Sequence, residues 1–397
     1  MLKGKNILLG VTGSIACYKA PEICSLLRKY GAEVKVIMTK AATEFITPLT
    51  MQTMSNHVVH DKMFEQVHNM DVEHISLAKW ADVFVIAPAT ANIIGKFAHG
   101  IADDMLSTVY MASRCPVLIA PAMNTYMLES QGNKDNMKIL EKRGVLILPT
   151  EEDLLACGDR GSGKMISPKK IVQAIDQALT TKDLKDKTFV ITSGPTQEAL
   201  DPVRYLTNHS SGKMGYALAR NAKNRGAKVI LISGPTSITP PEVDVLEKVT
   251  TTEEMFEAVG KYFDHCDCLI KAAAPADYRP ASYSDEKIKK TGSEDLTEIP
   301  LERTPDIAKY YGQRKQGQIM VGFAAESTNI YDYAKGKLKS KNLDFIVVNN
   351  IKTKGAGFGT DTNIASLIDD NHVKDLEIMS KDQLAEKIID HVVDLMS

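Results

Sequence analysis

Apolar residues along the first part of this chain fall into short runs separated by stretches of mixed character. Asn6–Val11 is one such run, bounded by turn residues. Ile15, Ile23, Leu26 and Leu27 follow at helical spacing up to Gly31, and Glu33–Met38 is apolar again. Short apolar runs alternating with amphipathic stretches predict parallel strands buried on both faces, with crossover helices between them. Two more strands are predicted at Val83–Ala87 and Val117–Ala120, each running directly into Pro-Ala. The stretch around Val72–Asp82 has helical spacing and carries His74.

Near residue 180 the pattern starts over. Thr180–Asp186 is charged and weakly apolar, which suits a linker. Lys3–Gly10 then has a counterpart in Lys185–Thr192, and Y-G-A-E-V-K-V-I-M-T is echoed by R-G-A-K-V-I-L-I-S. Two copies with different motifs between them describe a second α/β domain, not a solenoid. Further strands are predicted at Leu269–Ala274 and Ile319–Ala324. The expected fold class is α/β, with two Rossmann-like three-layer domains over 1–180 and 186–397.

Composition narrows the class. At 397 residues two domains are the natural expectation, and 44% hydrophobic with 25% charged residues is ordinary for a globular protein. A net charge of -2 supplies no basic field to recruit nucleic acid or an acidic membrane. The N-terminus turns polar and glycine-rich too soon for a signal peptide, and no apolar run is long enough to span a bilayer. Cys17, Cys24, Cys115, Cys157, Cys266 and Cys268 show neither a disulfide framework nor zinc spacing. The close pair Cys266 and Cys268 reads as structural, and a reducing, cytoplasmic setting is expected.

Candidate chemistry gathers at a few loops. Ala156–Met165, A-C-G-D-R-G-S-G-K-M, places Cys157 at the entrance of a segment with Gly158, Gly161 and Gly163. Such glycines let a backbone pass close to something. From the residues alone, a surface loop with a buried structural cysteine is an equal reading. Gly13-Ser14 opens a helix after a strand, which suits a single phosphate or a plain Ser14 cap. The G-x-G-x-x-G dinucleotide fingerprint is missing. Pro88-Ala89-Thr90-Ala91-Asn92 and Pro121-Ala122-Met123-Asn124 put small residues and amides at strand ends, where open parallel sheets bind ligands. A lone His74 is more often solvated or capped than functional.

In the second half, Asn208–Gly215 is N-H-S-S-G-K-M-G, and Met214 breaks a Walker reading. Asp277 near separate lysines offers what a triphosphate and Mg²⁺ need: a carboxylate oxygen and point charges. Lys287-Ile288-Lys289-Lys290 by itself is a solvated basic turn unless Asp277 lies near it. No purpose follows from the residues for G-A-G-F-G between Lys354 and Thr360.

Taken together, P-A-T-A-N, P-A-M-N, A-C-G-D-x-G-x-G-K-M, N-H-S-S-G-K-M-G, A-A-A-P-A-D-Y-R-P, K-I-K-K and V-G-F-A-A-E occur in one order along the chain. The sequence resembles, over essentially its whole length, the bacterial bifunctional phosphopantothenoylcysteine decarboxylases/phosphopantothenate-cysteine ligases of coenzyme A biosynthesis. The resemblance implies a flavodoxin-like flavoprotein domain followed by a ligase domain. In the first, Gly13, Ser14 and Thr39 would meet the phosphate of FMN, and Thr90, Ala91, Asn92, Ile93 and Ala122 would line the flavin. Cys157 would donate the proton of the reductive step, Asn124 would hold the substrate carboxylate, and His74 would serve the oxidative step.

In the second domain, 4′-phosphopantothenate would be activated by CTP as an acyl-cytidylate and coupled to cysteine. Asp277 would bind the nucleotide or its Mg²⁺ (or Mn²⁺). Lys287, Lys337 and Lys341 would contact CTP, with Pro305, Asp306, Ile307, Ala308 and Phe323 framing it. Asn208 and Lys287 would be catalytic. Lys164 stands where the family commonly has arginine, and Pro275 is another variable position. The resemblance also implies a homo-oligomer, with trimers of first domains and dimers of second domains able to build a dodecamer. Competing readings are a flavin-binding regulatory subunit without catalysis, a nicotinamide-dependent oxidoreductase, and an enzyme with a degenerate ligase half. Together Cys157, His74 and Asn124 weigh against the first, the missing fingerprint against the second, and Asn208, Asp277 and Lys287 against the third.

Overall fold

A computed structural model describes residues 2–63, 72–154, 160–288, 298–326, 330–350 and 360–396. The chain divides into two units, Met1–Thr180 and Thr181–Ser397.

In the first unit the strands are β1 (Asn6–Val11), β2 (Glu33–Met38), β3 (Val59–His60), β4 (Val83–Ala89), β5 (Val117–Pro121) and β6 (Leu146–Ile147). They form one six-stranded sheet in the order β3-β2-β1-β4-β5-β6, with every pair parallel. Side chains alternate across a strand, so an unbroken apolar run fills two cores at once. Ile7, Leu9 and Val11 of β1 join Val34, Val36, Val83 and Val85 in one core. Leu8 joins Ile37, Phe84 and Ile86 in the other. The helices covering these faces are α1 (Ala20–Lys29), α2 (Lys40–Thr43), α3 (Pro48–Ser55), α4 (Glu73–Trp80), α5 (Ala91–His99), α6 (Met105–Ala112), α7 (Thr125–Glu129), α8 (Gln131–Lys142) and α9 (Pro168–Leu179). The expected helix after Ser14 begins as a 3₁₀ segment, Ile15–Lys19, before α1.

One expectation changes here. Instead of a plain loop, the stretch after Leu148 is an antiparallel hairpin of β7 (Thr150–Leu154) and β8 (Arg160–Met165). Gly161 pairs with Asp153, Gly163 falls at an irregularity of the register, and Cys157 and Gly158 lie outside the described residues.

The second unit repeats the plan and extends it. Its elements are β9 (Thr188–Ser193), β10 (Gln197–Ala199), β11 (Tyr205–Thr207), α10 (Lys213–Asn224), β12 (Lys228–Ser233), β13 (Val245–Lys248), α11 (Thr252–Phe263) and β14 (Cys268–Lys271). There follow β15 (Tyr278–Pro280), β16 (Leu301–Arg303), α12 (Ile307–Gly312), β17 (Ile319–Glu326), α13 (Ile330–Ser340) and β18 (Phe345–Asn350). The chain ends with β19 (Thr362–Asn363), β20 (Ala365–Ile368), β21 (Val373–Asp375), β22 (Met379–Ser380) and α14 (Lys381–Met396). The main sheet has eight strands in the order β13-β12-β9-β14-β17-β18-β20-β21. It is parallel from β13 to β18 and antiparallel at β20 and β21. Phe189 and Ile191 enter one core and Val190 the other, as in the first unit.

The predicted strand Leu269–Ala274 stops at Lys271. Beyond it the backbone turns to other partners: Ala274 N donates to Gly194 O at 2.9 Å, and Ala276 N to the Thr196 hydroxyl at 2.9 Å. Cys266 and Cys268 are buried, and burial pushes the Cys266 thiol up to about 12, which fits a structural reading of the pair. No helix among the described residues is long and apolar enough to cross a membrane.

Candidate active sites at the two strand-order reversals

In both sheets the strand order reverses beside the first strand, between β1 and β4 and between β9 and β14. At such a point the two crossover connections leave toward opposite faces, and the carboxyl ends open a crevice.

In the first unit Thr12 closes the floor of that crevice. Its buried hydroxyl donates to Pro88 O at 2.8 Å and accepts from Thr90 N at 3.0 Å. The end of β1 is thereby tied to the P-A-T turn at the end of β4. Gly13 is required by packing, because a Cβ there would lie 2.5 Å from the Ala41 Cβ. That contact sets Gly13-Ser14 against the start of α2, which Thr39 caps by accepting from Ala42 N at 3.3 Å. Ser14 accepts from Ala16 N at 3.3 Å. Gly13, Ser14 and Thr39 are thus gathered at one corner. Thr90 precedes α5 without a side-chain cap on that helix, so the first-turn N–H groups depend on another acceptor. Asn92 is exposed, whereas the Ile93 side chain is buried in the core and can offer a ligand only its main chain. Uncharged hydroxyls, an amide and free helical N–H groups are a donor set that fits a flavin with one phosphate.

The hairpin closes the far side. Gly161 faces Thr125, where a Cβ would come within 2.4 Å of its hydroxyl. Gly163 has φ +132°, and a Cβ would sit 2.2 Å from Met123 O. The close approach expected of these two glycines is to the chain itself, at Thr125 and Met123. Met123 N donates to Gly163 O at 3.1 Å and the Thr125 hydroxyl to Ser162 O at 2.6 Å. At the base, buried Lys19 donates to Met165 O at 2.6 Å. Asn124 lies in the segment so clamped, and its Oδ1 accepts from Tyr126 N at 2.8 Å. Ala122 is buried beside it, donating its N–H to Ala89 O at 2.9 Å. His74 sits half-buried in the first turn of α4, as its helical spacing predicts, on a helix that packs against α6.

In the second unit the corresponding crevice holds a small cleft of about 60 Å³ lined by Lys271, Pro275, Ala276, Asp277, Thr304, Pro305, Asp306, Ile307, Lys341 and Thr252. A buried hydroxyl network shapes it. The Thr252 hydroxyl and N–H both donate to Glu198 Oε1, at 2.8 and 2.9 Å. Thr196 and Thr252 hydroxyls meet at 2.9 Å, and the Thr304 hydroxyl donates to Ala276 O at 2.6 Å. These bonds fix the A-P-A-D turn from three sides. Lys341 pairs with Asp306 at 3.0 Å. Burial works against ionising Asp306, but Lys309 N and Lys341 hold its carboxyl below the usual range. Burial pushes the Lys271 ammonium down to about 8, with Lys341 adding repulsion and Asp306 and Asp277 opposing it.

Of the sequence candidates, Asp277, Pro305, Asp306, Ile307 and Lys341 come together in the cleft. Ile307 and Ala308 have buried side chains, so their contribution to a ligand is main-chain. Asn208 borders the cleft, donating Nδ2 to Pro275 O at 2.9 Å and to Ala274 O at 3.3 Å. Phe323 packs against the core under the sheet, and Lys337 is half-buried on α13 near enough to Lys271 to repel it. Lys287 is exposed and does not line the cleft. Its neighbour Ile288 is held elsewhere: Ile288 N donates to Asp201 Oδ2 at 3.2 Å, and Arg204 donates to Ile288 O at 2.9 Å. Lys289 and Lys290 lie outside the described residues. Lys271, Thr252 and Thr304 were not singled out from the sequence as site residues. Among the described residues no cluster of three or more His, Cys, Asp or Glu could hold a metal. One carboxylate plus a ligand's own phosphates is how Mg²⁺ is usually held, and Asp277 fits that arrangement.

Residues 1–180 match the Flavoprotein family, and residues 184–396 match the family described as the DNA/pantothenate metabolism flavoprotein C-terminal domain. The coenzyme A biosynthesis bifunctional protein CoaBC of Bacillus subtilis (strain 168) is 46% identical over 400 residues, covering 100% of this chain and 98% of the relative. The protein of the same name from Vibrio vulnificus (strain YJ016) is 43% identical, covering 100% of this chain and 99% of the relative. A crystal structure of the C-terminal domain of a protein with that name is 39% identical over 54% of this chain and 98% of its own, with a TM-score of 0.47.

Proposed function

The chain belongs to the family of coenzyme A biosynthesis bifunctional proteins, and from that premise we infer that it carries out two successive steps of that pathway, a ligation and a flavin-dependent decarboxylation. The observation that carries the reading is the family match through both units, end to end. In the ligase half, 4′-phosphopantothenate is activated by CTP, releasing pyrophosphate and forming an acyl-cytidylate; the cysteine amine then displaces CMP. In the decarboxylase half, the resulting 4′-phosphopantothenoylcysteine loses CO₂ and leaves as 4′-phosphopantetheine.

Each residue has a task in this reading. Lys341, with Lys337, holds CTP, and the main chain from Pro305 to Ala308 frames it beside Phe323. Asp277 takes the nucleotide's Mg²⁺, which when bound draws charge from the phosphates that leave. Asn208, already fixed against the A-A-P-A turn, stabilises the developing charge as the amine attacks. Lys287 serves formation of the cytidylate from outside the cleft. Next to it the Ile288 backbone bonds to Asp201 and Arg204.

In the first unit Gly13, Ser14 and Thr39 hold the phosphate of FMN, and Thr90, Ala91, Asn92, Ile93 and Ala122 border its ring. Bound flavin supplies reversible two-electron chemistry at the carbon bearing sulfur, which gives the electrons released with CO₂ a place to go. Asn124 orients the substrate carboxylate, His74 serves the oxidative step, and Cys157 returns the proton at the end. The hairpin base is clamped at Met123–Thr125 and Lys19, and in this reading the segment carrying Cys157 closes over the intermediate. The reading carries an assembly with it: trimers of first units and dimers of second units. Purified flavin-loaded protein given 4′-phosphopantothenate, cysteine, CTP and Mg²⁺ should form 4′-phosphopantetheine, CO₂ and pyrophosphate, followed by mass spectrometry. Omission of CTP should stop all three, whereas omission of cysteine should stop 4′-phosphopantetheine and CO₂ and leave only the pyrophosphate of cytidylate formation. If neither amide nor CO₂ forms, the chain is a flavin-binding regulatory subunit and not a catalyst.

A further inference from the structure

We propose that Lys271, the last residue of β14, is a nucleotide-binding residue of the ligase cleft whose ammonium engages the phosphate chain of CTP. The assignment rests on the ligase reading above and adds a residue that its motifs do not contain.

Four observations converge on it. Lys271 ends its strand at the strand-order reversal, where a ligand of this sheet is expected, and its side chain lines the cleft with Asp277, Asp306 and Lys341. Among the described residues, no hydrogen bond or ion pair is made by its ammonium, whereas Lys341 is paired with Asp306. A half-buried cation without a counter-ion is costly, so the position is explained if a ligand brings the negative charge. The charged groups facing it are Lys341, Lys337, Asp306 and Asp277. Lys341 and Lys337 both repel the Lys271 ammonium, and Asp306 is already taken by Lys341. A polyanion relieves that repulsion far better than a single carboxylate does. The low ammonium pKa of free Lys271 has the same origin, burial among cations, and bound phosphates would reverse it.

Phosphates and base can be told apart by shortening the nucleotide. In the full-length protein, binding of CTP, CDP and CMP with Mg²⁺ is measured by calorimetry for wild type, Lys271→Met and Lys271→Arg. Lys271→Met should weaken CTP by ~10- to 100-fold, as loss of a charge-assisted contact does. CMP should bind with unchanged affinity, which also shows that the variant is folded. Lys271→Arg, which keeps the charge, should bind CTP within a few-fold of wild type. An equal loss for all three nucleotides would make Lys271 a structural or base-side residue and overturn the assignment, as would no loss at all. A wild-type protein that binds no CTP removes the ligase reading itself, and this residue's role with it.

Discussion

The two crevices occupy the same place in two copies of one strand order and are furnished in opposite ways. Around β1 and β4 the strand ends present Thr12, Ser14, Thr39, Thr90, Ala122 and Asn124, all uncharged. Around β9 and β14 they present Lys271 and Asp277, with Asp306 and Lys341 closing the cleft. The parallel sheet decides where a ligand sits; the residues just past the strand ends decide what kind. Neutral donors suit a large, weakly charged ring with one phosphate. Opposed charges suit a polyphosphate with its cation.

The sharpest way to test that division is to silence each crevice separately. Cys157→Ser should lower formation of 4′-phosphopantetheine by about 10²- to 10⁴-fold while amide and pyrophosphate still form, if Cys157 is the general acid of one half only, as proposed. Asn208→Ala should do the reverse. Amide formation from cysteine should fall by about 10²- to 10³-fold, pyrophosphate release should persist, and supplied 4′-phosphopantothenoylcysteine should still be decarboxylated. Cross-inhibition, with either variant disabling both activities, would break the picture of two independent crevices.

A smaller effect comes from the hairpin. Gly163→Ala places a Cβ against Met123 O at a backbone angle that only glycine takes easily. It should cost about 1–3 kcal/mol in denaturant unfolding of the first unit. Decarboxylation should suffer more than flavin retention, since the displaced segment carries Asn124. Equal loss of both would mean that the hairpin also builds the flavin pocket.

The smallest effect is a contrast in pH. Binding CTP favours charged Lys271, whose ammonium in the free cleft has been pushed down to about 8. Nucleotide binding therefore takes up a proton, and affinity should fall as pH rises through 8, by at most about tenfold per pH unit. Flavin retention in the first unit, held by uncharged donors, should stay level from about pH 7 to 9. A level CTP profile would remove Lys271 from the phosphates.

Much of this arrangement is legible in the sequence. Asn6–Val11, Val83–Ala87 and the apolar part of Lys185–Thr192 announce buried strands because a strand covered on both faces has no room for polar alternation. The turns after them follow from position. What stays hidden depends on contacts between distant residues. Thr196 and Thr252, 56 positions apart, meet beneath the A-P-A-D turn, and no local pattern marks either hydroxyl. Lys271 reads as the polar end of an apolar run until the cleft forms around it. Gly161 and Gly163 look like a ligand loop and turn out to be demanded by Thr125 and Met123. The short exposed hairpins β10–β11 and β15–β16 leave almost no apolar signal. Lys287 is the converse case, a basic residue that motif logic sends to the nucleotide, exposed next to an Ile288 whose backbone bonds to Asp201 and Arg204.

Both sheets taper to almost nothing at their rims. The first ends in β3 and β6, of two residues each, and the second in β13 and β21, of four and three. A rim that short exposes too few unpaired backbone groups to template a passing strand, and the exposed Lys248 and Asp375 on the longer rims discourage it further. The consequence falls during synthesis. The first unit is complete while more than half of the chain has yet to leave the ribosome. Its wide apolar sheet can wait in a crowded cell without recruiting strands from neighbouring nascent chains.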